Sequence, residues 1–211
     1  MADVLFAWPS AAAFGRRVPK EKIYAHGTVS SALREQFVSE VASIEWAFKL
    51  APSTINLPGS DDVPEVQVFR IAAKEEDVAD SILAAIDRAV AFPTVFEIAR
   101  ANATVRMSVS VQKTGSYHST SWLPLNTSRE PLPIAITLPA LYVALVQRLI
   151  PIAVTARENT ADVAERLQAF TQLEREIGAM KKRLRNEPQL NRKLEIRRSL
   201  TAMQAELEQR K

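Results

Sequence analysis

The chain has 211 residues, of which 47% are hydrophobic and 24% charged, a composition typical of a globular protein with a sizeable core. It contains no cysteine, which excludes disulfide bonds, thiolate metal sites and thiol nucleophiles. Its two histidines, His26 and His118, lie far apart in the sequence, so a zinc site is not expected. We find neither an export signal nor an apolar run as long as a membrane span, and we expect a soluble, cytoplasmic protein without a cofactor.

The net charge of +3 is distributed unevenly along the chain. Residues 181–198 hold eight Lys or Arg and only two Glu, a net charge of +6, so the remaining residues together carry −3. A slightly acidic body with one concentrated basic segment predicts an acidic partner, nucleic acid among the candidates.

The first third of the chain predicts an arm, a helix and a strand. Residues 1–27 are rich in Ala and Pro and are typical of an extended N-terminal arm with a short helical piece. Apolar residues recur every four positions over residues 31–42, which predicts a helix. In the next stretch Ile44, Trp46 and Phe48 alternate with polar or small residues, which predicts a strand with these three side chains on one face.

The middle of the chain predicts most of a sheet. A mostly apolar run at residues 65–74 is typical of a central strand covered on both faces. Asp77 is a candidate cap for the next helix, whose apolar stripe ends before Pro93. Three further strand-like runs follow, with turns expected at residues 101–102 and 113–115.

A buried helix is predicted over residues 140–150. It completes a body, residues 28–155, of the α/β or α+β class, with a small mixed sheet flanked by helices.

Residues 156–211 have a different pattern. Apolar residues spaced four and three apart predict two helices of about 23 residues, each roughly 35 Å long, packed as an antiparallel helical hairpin or coiled coil. Asn159 is a candidate cap of the first helix, and the break between the helices is expected at Pro188. The basic residues then lie at the far end of the hairpin. We call this set the basic tip: Lys181, Lys182, Arg183, Arg185, Arg192, Lys193, Arg197 and Arg198.

The basic tip has two interpretations. It is either a solvated coiled-coil surface or a surface that binds a polyanion. The local excess of positive charge favours the second interpretation, because an anionic partner would relieve the repulsion between like charges. An acidic protein surface would serve equally well. No aromatic residue occurs from 171 to 211, so contact with a nucleic acid is expected at the backbone and not at the bases.

No catalytic motif is found, and glycine-rich nucleotide-binding loops are absent. His118 has hydroxyl neighbours, but residues adjacent on a strand point to opposite faces, so a hydrogen-bonded structural histidine is expected. The acids Asp61, Asp62 and Glu65 could hold Mg²⁺ in a divergent nuclease. However, Gln67 stands where such a site would need a lysine, and a surface turn is the preferred interpretation of these acids.

Four segments resemble one bacterial family, known as domain of unknown function 4391. The segments are "RRVPKEKIY" (16–24), "WAFKLAPSTINL" (46–57), "STSWLPL" (119–125) and "NRKLEIRRSLTAMQAEL" (191–207). The resemblance implies genes beside helicases and DNA methyltransferases in restriction-like anti-phage loci. It implies no catalytic residues.

Together these observations predict a non-catalytic accessory subunit of a DNA-targeting bacterial defence system. Its partner would be a helicase or a DNA methyltransferase, and the basic tip would contact a nucleic-acid backbone or an acidic protein. Two alternatives stay open, a divergent metal-dependent nuclease and a structural module that self-associates through the C-terminal helices.

Overall fold

The computed structural model describes residues 3–26, 29–111, 116–154, 158 and 160–210. By its internal contacts the chain divides into two units, Met1–Ile150 and Pro151–Lys211. The strands of the first unit are β1 (Phe6–Ala7), β2 (Ala13–Arg17), β3 (Val41–Leu50), β4 (Val66–Ala73), β5 (Thr94–Ala99), β6 (Thr104–Val109), β7 (His118–Ser119), β8 (Leu123–Pro124) and β9 (Glu130–Pro131). Its helices are α1 (Lys20–His26), α2 (Ser31–Glu40), α3 (Pro52–Ile55), α4 (Asp80–Ala89) and α5 (Leu138–Gln147). The second unit contains α6 (Thr160–Asn186) and α7 (Leu190–Gln209).

The first unit is built on a mixed sheet of seven strands in the order β2-β3-β4-β5-β6-β7, with β8 also paired to β6. All neighbours are antiparallel except β4 and β5, which are parallel and are connected through α4. A separate parallel pair joins β1 to β9. The predicted mixed α/β class is therefore confirmed, and the run at residues 65–74 is the predicted central strand.

One face of the sheet packs against helices α1, α2 and α4 and forms a large apolar core. In register across the sheet, Ile44 pairs with Ile71 and Ile71 with Ile98, so that strands β3, β4 and β5 present one continuous apolar surface. Leu83 and Ile86 of α4 lie in this core and are fully buried. Each such side chain contributes about 1.5–3 kcal/mol by its burial, so this layer supplies much of the stability of the first unit.

A β-bulge divides β3 and corrects one prediction. Trp46 pairs with Phe69, whereas Phe48 pairs with Val68, because the register shifts between the two pairs. Phe69 and Val68 are adjacent on β4 and point to opposite faces. The prediction that Phe48 shares a face with Trp46 is therefore wrong, because the extra residue of a bulge reverses the alternation beyond it.

The N-terminal segment is built into the first unit. Residues predicted as an extended arm supply β1, β2 and α1, and β2 forms the edge strand beside β3. Val4, Leu5 and Phe6 are almost completely buried. This segment therefore contributes to the core of the first unit.

The start of helix α4 also differs in detail from the prediction. Helix α4 begins at Asp80 after an extended Ala79, whose amide donates to the carboxylate of Glu40 at 2.7 Å. Asp77 is not the cap, because its carboxylate accepts from Val78 N at 2.7 Å and pairs with Arg106. The expected turn at residues 113–115 and the candidate cap Asn159 lie outside the described residues.

The side chain of a lysine caps the C-terminal end of α2. The ammonium of Lys20 donates to the carbonyls of Phe37 and Val41, each at 2.7 Å. Burial of this ammonium and the neighbouring charge of Lys74 lower the pKa of Lys20 below its ordinary value. Lys20 thus satisfies carbonyls that a helix end leaves without partners.

Candidate functional site

The second unit has the predicted hairpin connection. Helix α6 ends at Asn186 and α7 begins at Leu190, so only residues 187–189 join them. Pro188 lies in this loop, where its lack of an amide hydrogen prevents α6 from continuing. The carboxylate of Glu187 accepts from the amide of Gln189 at 3.1 Å. Because the loop is short and the two helices are in contact, they run antiparallel.

The predicted apolar seam faces inward on both helices. On α6, Leu173 and Ile177 are buried and Leu184 is half-buried; on α7, Ile196 is buried and Leu200 is half-buried. These positions have the four–three spacing that brings side chains of facing helices together. The seam therefore fixes the direction in which the remaining side chains of both helices point.

The basic tip lies within the last six residues of α6 and the first nine of α7. Seven of its eight cations are exposed, and Lys193 is half-buried. Among the described residues, the ion pairs of the second unit join Arg166 to Glu158 and Arg210 to Glu206, and none includes a residue of the tip. The tip cations therefore form no ion pair with a described acidic side chain.

Two exposed leucines adjoin the basic tip, and the sequence pattern did not single them out. Leu190 is 71% exposed and Leu194 is 45% exposed, and their four-residue spacing places them on one face of α7. Their exposure signals a surface that presents apolar groups beside positive charge.

A second charged site lies in the first unit, on the sheet face opposite the helix-covered core. Glu45, Arg70 and Glu97 pair in register across β3, β4 and β5. Together with Arg129 they line a pocket of about 340 Å³. Sequence reasoning missed this site, because its members are far apart in the chain and no local spacing connects them.

The carboxylate of Glu97 is the buried centre of this pocket. It is 2% exposed and accepts hydrogen bonds from Trp8 Nε1 at 2.7 Å, from Arg70 Nε at 2.9 Å and from Arg129. Burial alone would raise the pKa of Glu97, but the hydrogen bond and charge of Arg129, with the hydrogen bonds of Arg70 and Trp8, hold the pKa below its usual value. Glu97 is therefore a charged structural anchor.

This pocket is unsuited to a divalent metal. Glu45 and Glu97 lie two strands apart, about 10 Å, with the guanidinium of Arg70 on the strand between them. No group of three or more metal-ligating side chains is found in the described part of the chain.

The three acids of the alternative nuclease hypothesis lie in the surroundings expected of a surface turn. Glu65 forms an ion pair of 2.6 Å with Lys49, while Asp61 and Asp62 are exposed in a bend.

The two histidines have no catalytic surroundings among the described residues. His118 lies in β7 as predicted, and burial lowers its pKa. Its Nε2 is buried and has no partner in the described structure, so the expected hydrogen bond is not found at this atom. Thr120 donates to the carbonyl of Ser121 and accepts from Met107 N, and His26 is exposed at the end of α1.

The sequence matches the family model described as Domain of unknown function (DUF4391) over residues 6–207 of the 211. The chain belongs to this family. No curated protein and no solved structure gives a match.

Two of the segments that carry the DUF4391 resemblance have clear structural roles. In "WAFKLAPSTINL", the hydroxyl of Thr54 accepts from Ala51 N at 2.9 Å and donates to the carbonyl of Lys49 at 2.8 Å, which fixes the turn after β3. In "STSWLPL", the ring of Trp122 lies under the guanidinium groups of Arg100, at 3.6 Å, and Arg106, at 5.1 Å. Such cation–π contacts hold this segment against β5 and β6.

The fourth segment of this DUF4391 chain has a different character. It begins at Asn191 and contains Arg192, Lys193, Arg197 and Arg198 of the basic tip, whose side chains form no ion pair with a described residue. None of the described helices is both long and apolar enough to cross a membrane.

Proposed function

We propose that this chain is a non-catalytic accessory subunit that holds a nucleic-acid backbone through its basic tip. The observation that carries the proposal is a set of eight cations at one helical bend with no ion pair to any described residue. Cations with internal partners would serve the fold. Cations without such partners repel each other. Their binding to a polyanion is favourable, because the polyanion then releases its counterions.

The expected mode of contact is independent of base sequence. The tip offers Lys and Arg to phosphates, and no aromatic residue from 171 to 211 can stack on a base. Such contacts position a protein on a nucleic acid without selecting a site.

The biological setting of the proposal is a DNA-targeting bacterial defence system, in which the first unit docks on a helicase or DNA methyltransferase. This part is supported by the gene neighbourhood that the resemblance to this family implies. Purification of the tagged chain from its own cells, followed by identification of the bound protein, tests it. A partner of neither kind would contradict it.

Charge reversal at the bend tests the nucleic-acid contact. The variant Arg192→Glu/Lys193→Glu lowers the net charge of residues 181–198 from +6 to +2. We expect weaker binding to a labelled DNA duplex and a flatter plot of log Kd against log salt concentration, measured by fluorescence anisotropy. The matched control is Lys22→Glu/Arg175→Glu, which reverses two exposed cations outside the tip. An unchanged slope in the tip variant, or an equal change in the control, would remove the tip from consideration.

Self-association is the competing structural role for the hairpin. The exposed Leu190 and Leu194 favour it, since a second chain could cover them. Sedimentation across a range of salt concentrations separates the two roles. A dimer that is insensitive to salt and is lost on deletion of residues 158–211 would favour self-association over nucleic-acid contact.

A further inference from the structure

The basic tip has two unequal sides, and the seam defines them. In an α-helix each residue is rotated by about 100° from the one before it. Around the axis of α6, Lys181 and Arg185 lie 60–100° from the buried seam, counted in the direction in which the chain turns. Around the axis of α7, Lys193 and Arg197 lie 60–100° from the buried seam, counted in the same way. Because the helices are antiparallel, equal rotation from the seam brings both pairs to the same broad face of the hairpin.

The opposite face carries much less charge. Arg183 and Arg192 lie there, and Glu195 lies on the same side and offsets one of them. Lys182 and Arg198 lie on the outer edges, away from both faces. The cations of the tip therefore form three groups. One face carries four cations and no acid within residues 181–198, the opposite face has a net charge of +1, and two cations lie on the outer edges.

We propose that the four-cation face, Lys181, Arg185, Lys193 and Arg197, is the surface that contacts phosphates. This inference rests on the proposed function and names the part of the tip that performs it. The two residues of each pair lie one turn, about 6 Å, apart along their helix, and the two helices lie about 8–10 Å apart. The face thus covers about 10 Å in each direction, a length over which a DNA duplex carries about six phosphate charges.

The size of the expected effect follows from four phosphate contacts. Four contacts give a slope of about −3.6 in log K against log salt, so a fourfold rise from 50 to 200 mM salt weakens binding about 150-fold. With all four contacts removed, the same rise in salt should have almost no effect on binding.

The test is a pair of full-length variants that lose the same number of charges. One changes the four-cation face: Lys181→Gln, Arg185→Gln, Lys193→Gln and Arg197→Gln. The control changes the other four: Lys182→Gln, Arg183→Gln, Arg192→Gln and Arg198→Gln. Gln has nearly the helix propensity of Lys and Arg, so circular dichroism should report equal helix content. Anisotropy with a labelled duplex at 50 and 200 mM NaCl then gives the salt dependence of each.

We expect the first variant to bind weakly and with almost no dependence on salt, and the control to retain about a 150-fold effect. Equal losses in both variants would overturn the face assignment and leave the proposed function intact. No loss in either, with wild-type binding present, would overturn both.

A smaller pair of variants covers any loss of folding in the quadruple ones. Lys181→Gln/Arg197→Gln is compared with Arg183→Gln/Arg192→Gln, which occupy the corresponding positions on the opposite face. The first should flatten the slope by about 1.8, and the second by less than half as much. Equal changes would contradict the assignment.

Discussion

Replacing Glu97 by Gln tests how the charged pocket of the first unit is held together. The substitution keeps the shape of the side chain and removes its charge, while Trp8 can still donate to the remaining oxygen. Removing one partner of a buried ion pair costs about 3–5 kcal/mol, because the other charge is left without compensation. Here Arg70 and Arg129 are 43% and 25% exposed and can partly rehydrate, which favours the lower limit. We expect a loss of about 3 kcal/mol in the free energy of unfolding.

Urea denaturation followed by tryptophan fluorescence is a suitable assay. The three tryptophans of the chain, Trp8, Trp46 and Trp122, all lie in the first unit and report its unfolding. The control is Glu45→Gln, a half-buried carboxylate in register with Arg70 that has no hydrogen bond or ion pair to a described residue. It should cost less than about 1 kcal/mol. Equal losses in the two variants would refute the view that Glu97 is a desolvated anchor.

Three further outcomes are expected from the same assay. Because the pKa of folded Glu97 lies below its ordinary value of 4.5, the unfolded chain takes up the proton first as the pH falls. The difference in the free energy of unfolding between wild type and Glu97→Gln should therefore be full above about pH 5 and shrink below about pH 4.5. A difference that stays constant with pH would contradict this. Lys20→Met should cost about 1–2 kcal/mol, since two carbonyls at the end of α2 lose a charged donor; no change would mean that water replaces the ammonium. Tyr117→Phe should cost about 1–3 kcal/mol, because its hydroxyl donates to the buried Asp87 at 2.7 Å; a neutral effect would show that Asp87 does not need this donor.

The hairpin could be predicted from sequence because its rules are local. A four–three spacing of apolar residues predicts two packed helices, and Pro188 marks where the first one ends. The position of the basic tip follows directly from these two signals. The helix lengths differ from the predicted value, since α6 has 27 residues and α7 has 20.

The first unit was predicted less completely because its details depend on long-range contacts. The bulge in β3 reverses the face of Phe48, and it is defined only by the pairing with β4. The pocket around Glu97 needs Arg129, 32 residues away, and Trp8, 89 residues away. In the sequence Glu97 is one polar residue in an apolar strand, which is a weak signal that a buried charge has partners elsewhere.

The salt dependence of binding by the wild-type chain tests the central claim most directly. The Kd for a labelled duplex of arbitrary sequence is measured by anisotropy at several NaCl concentrations between 50 and 200 mM. If the basic tip holds phosphates as proposed, the slope of log K against log salt should lie between about −3 and −4 and should not change with the duplex sequence. A slope between 0 and −1, or no binding at 50 mM NaCl, would contradict the claim that these cations meet a nucleic-acid backbone.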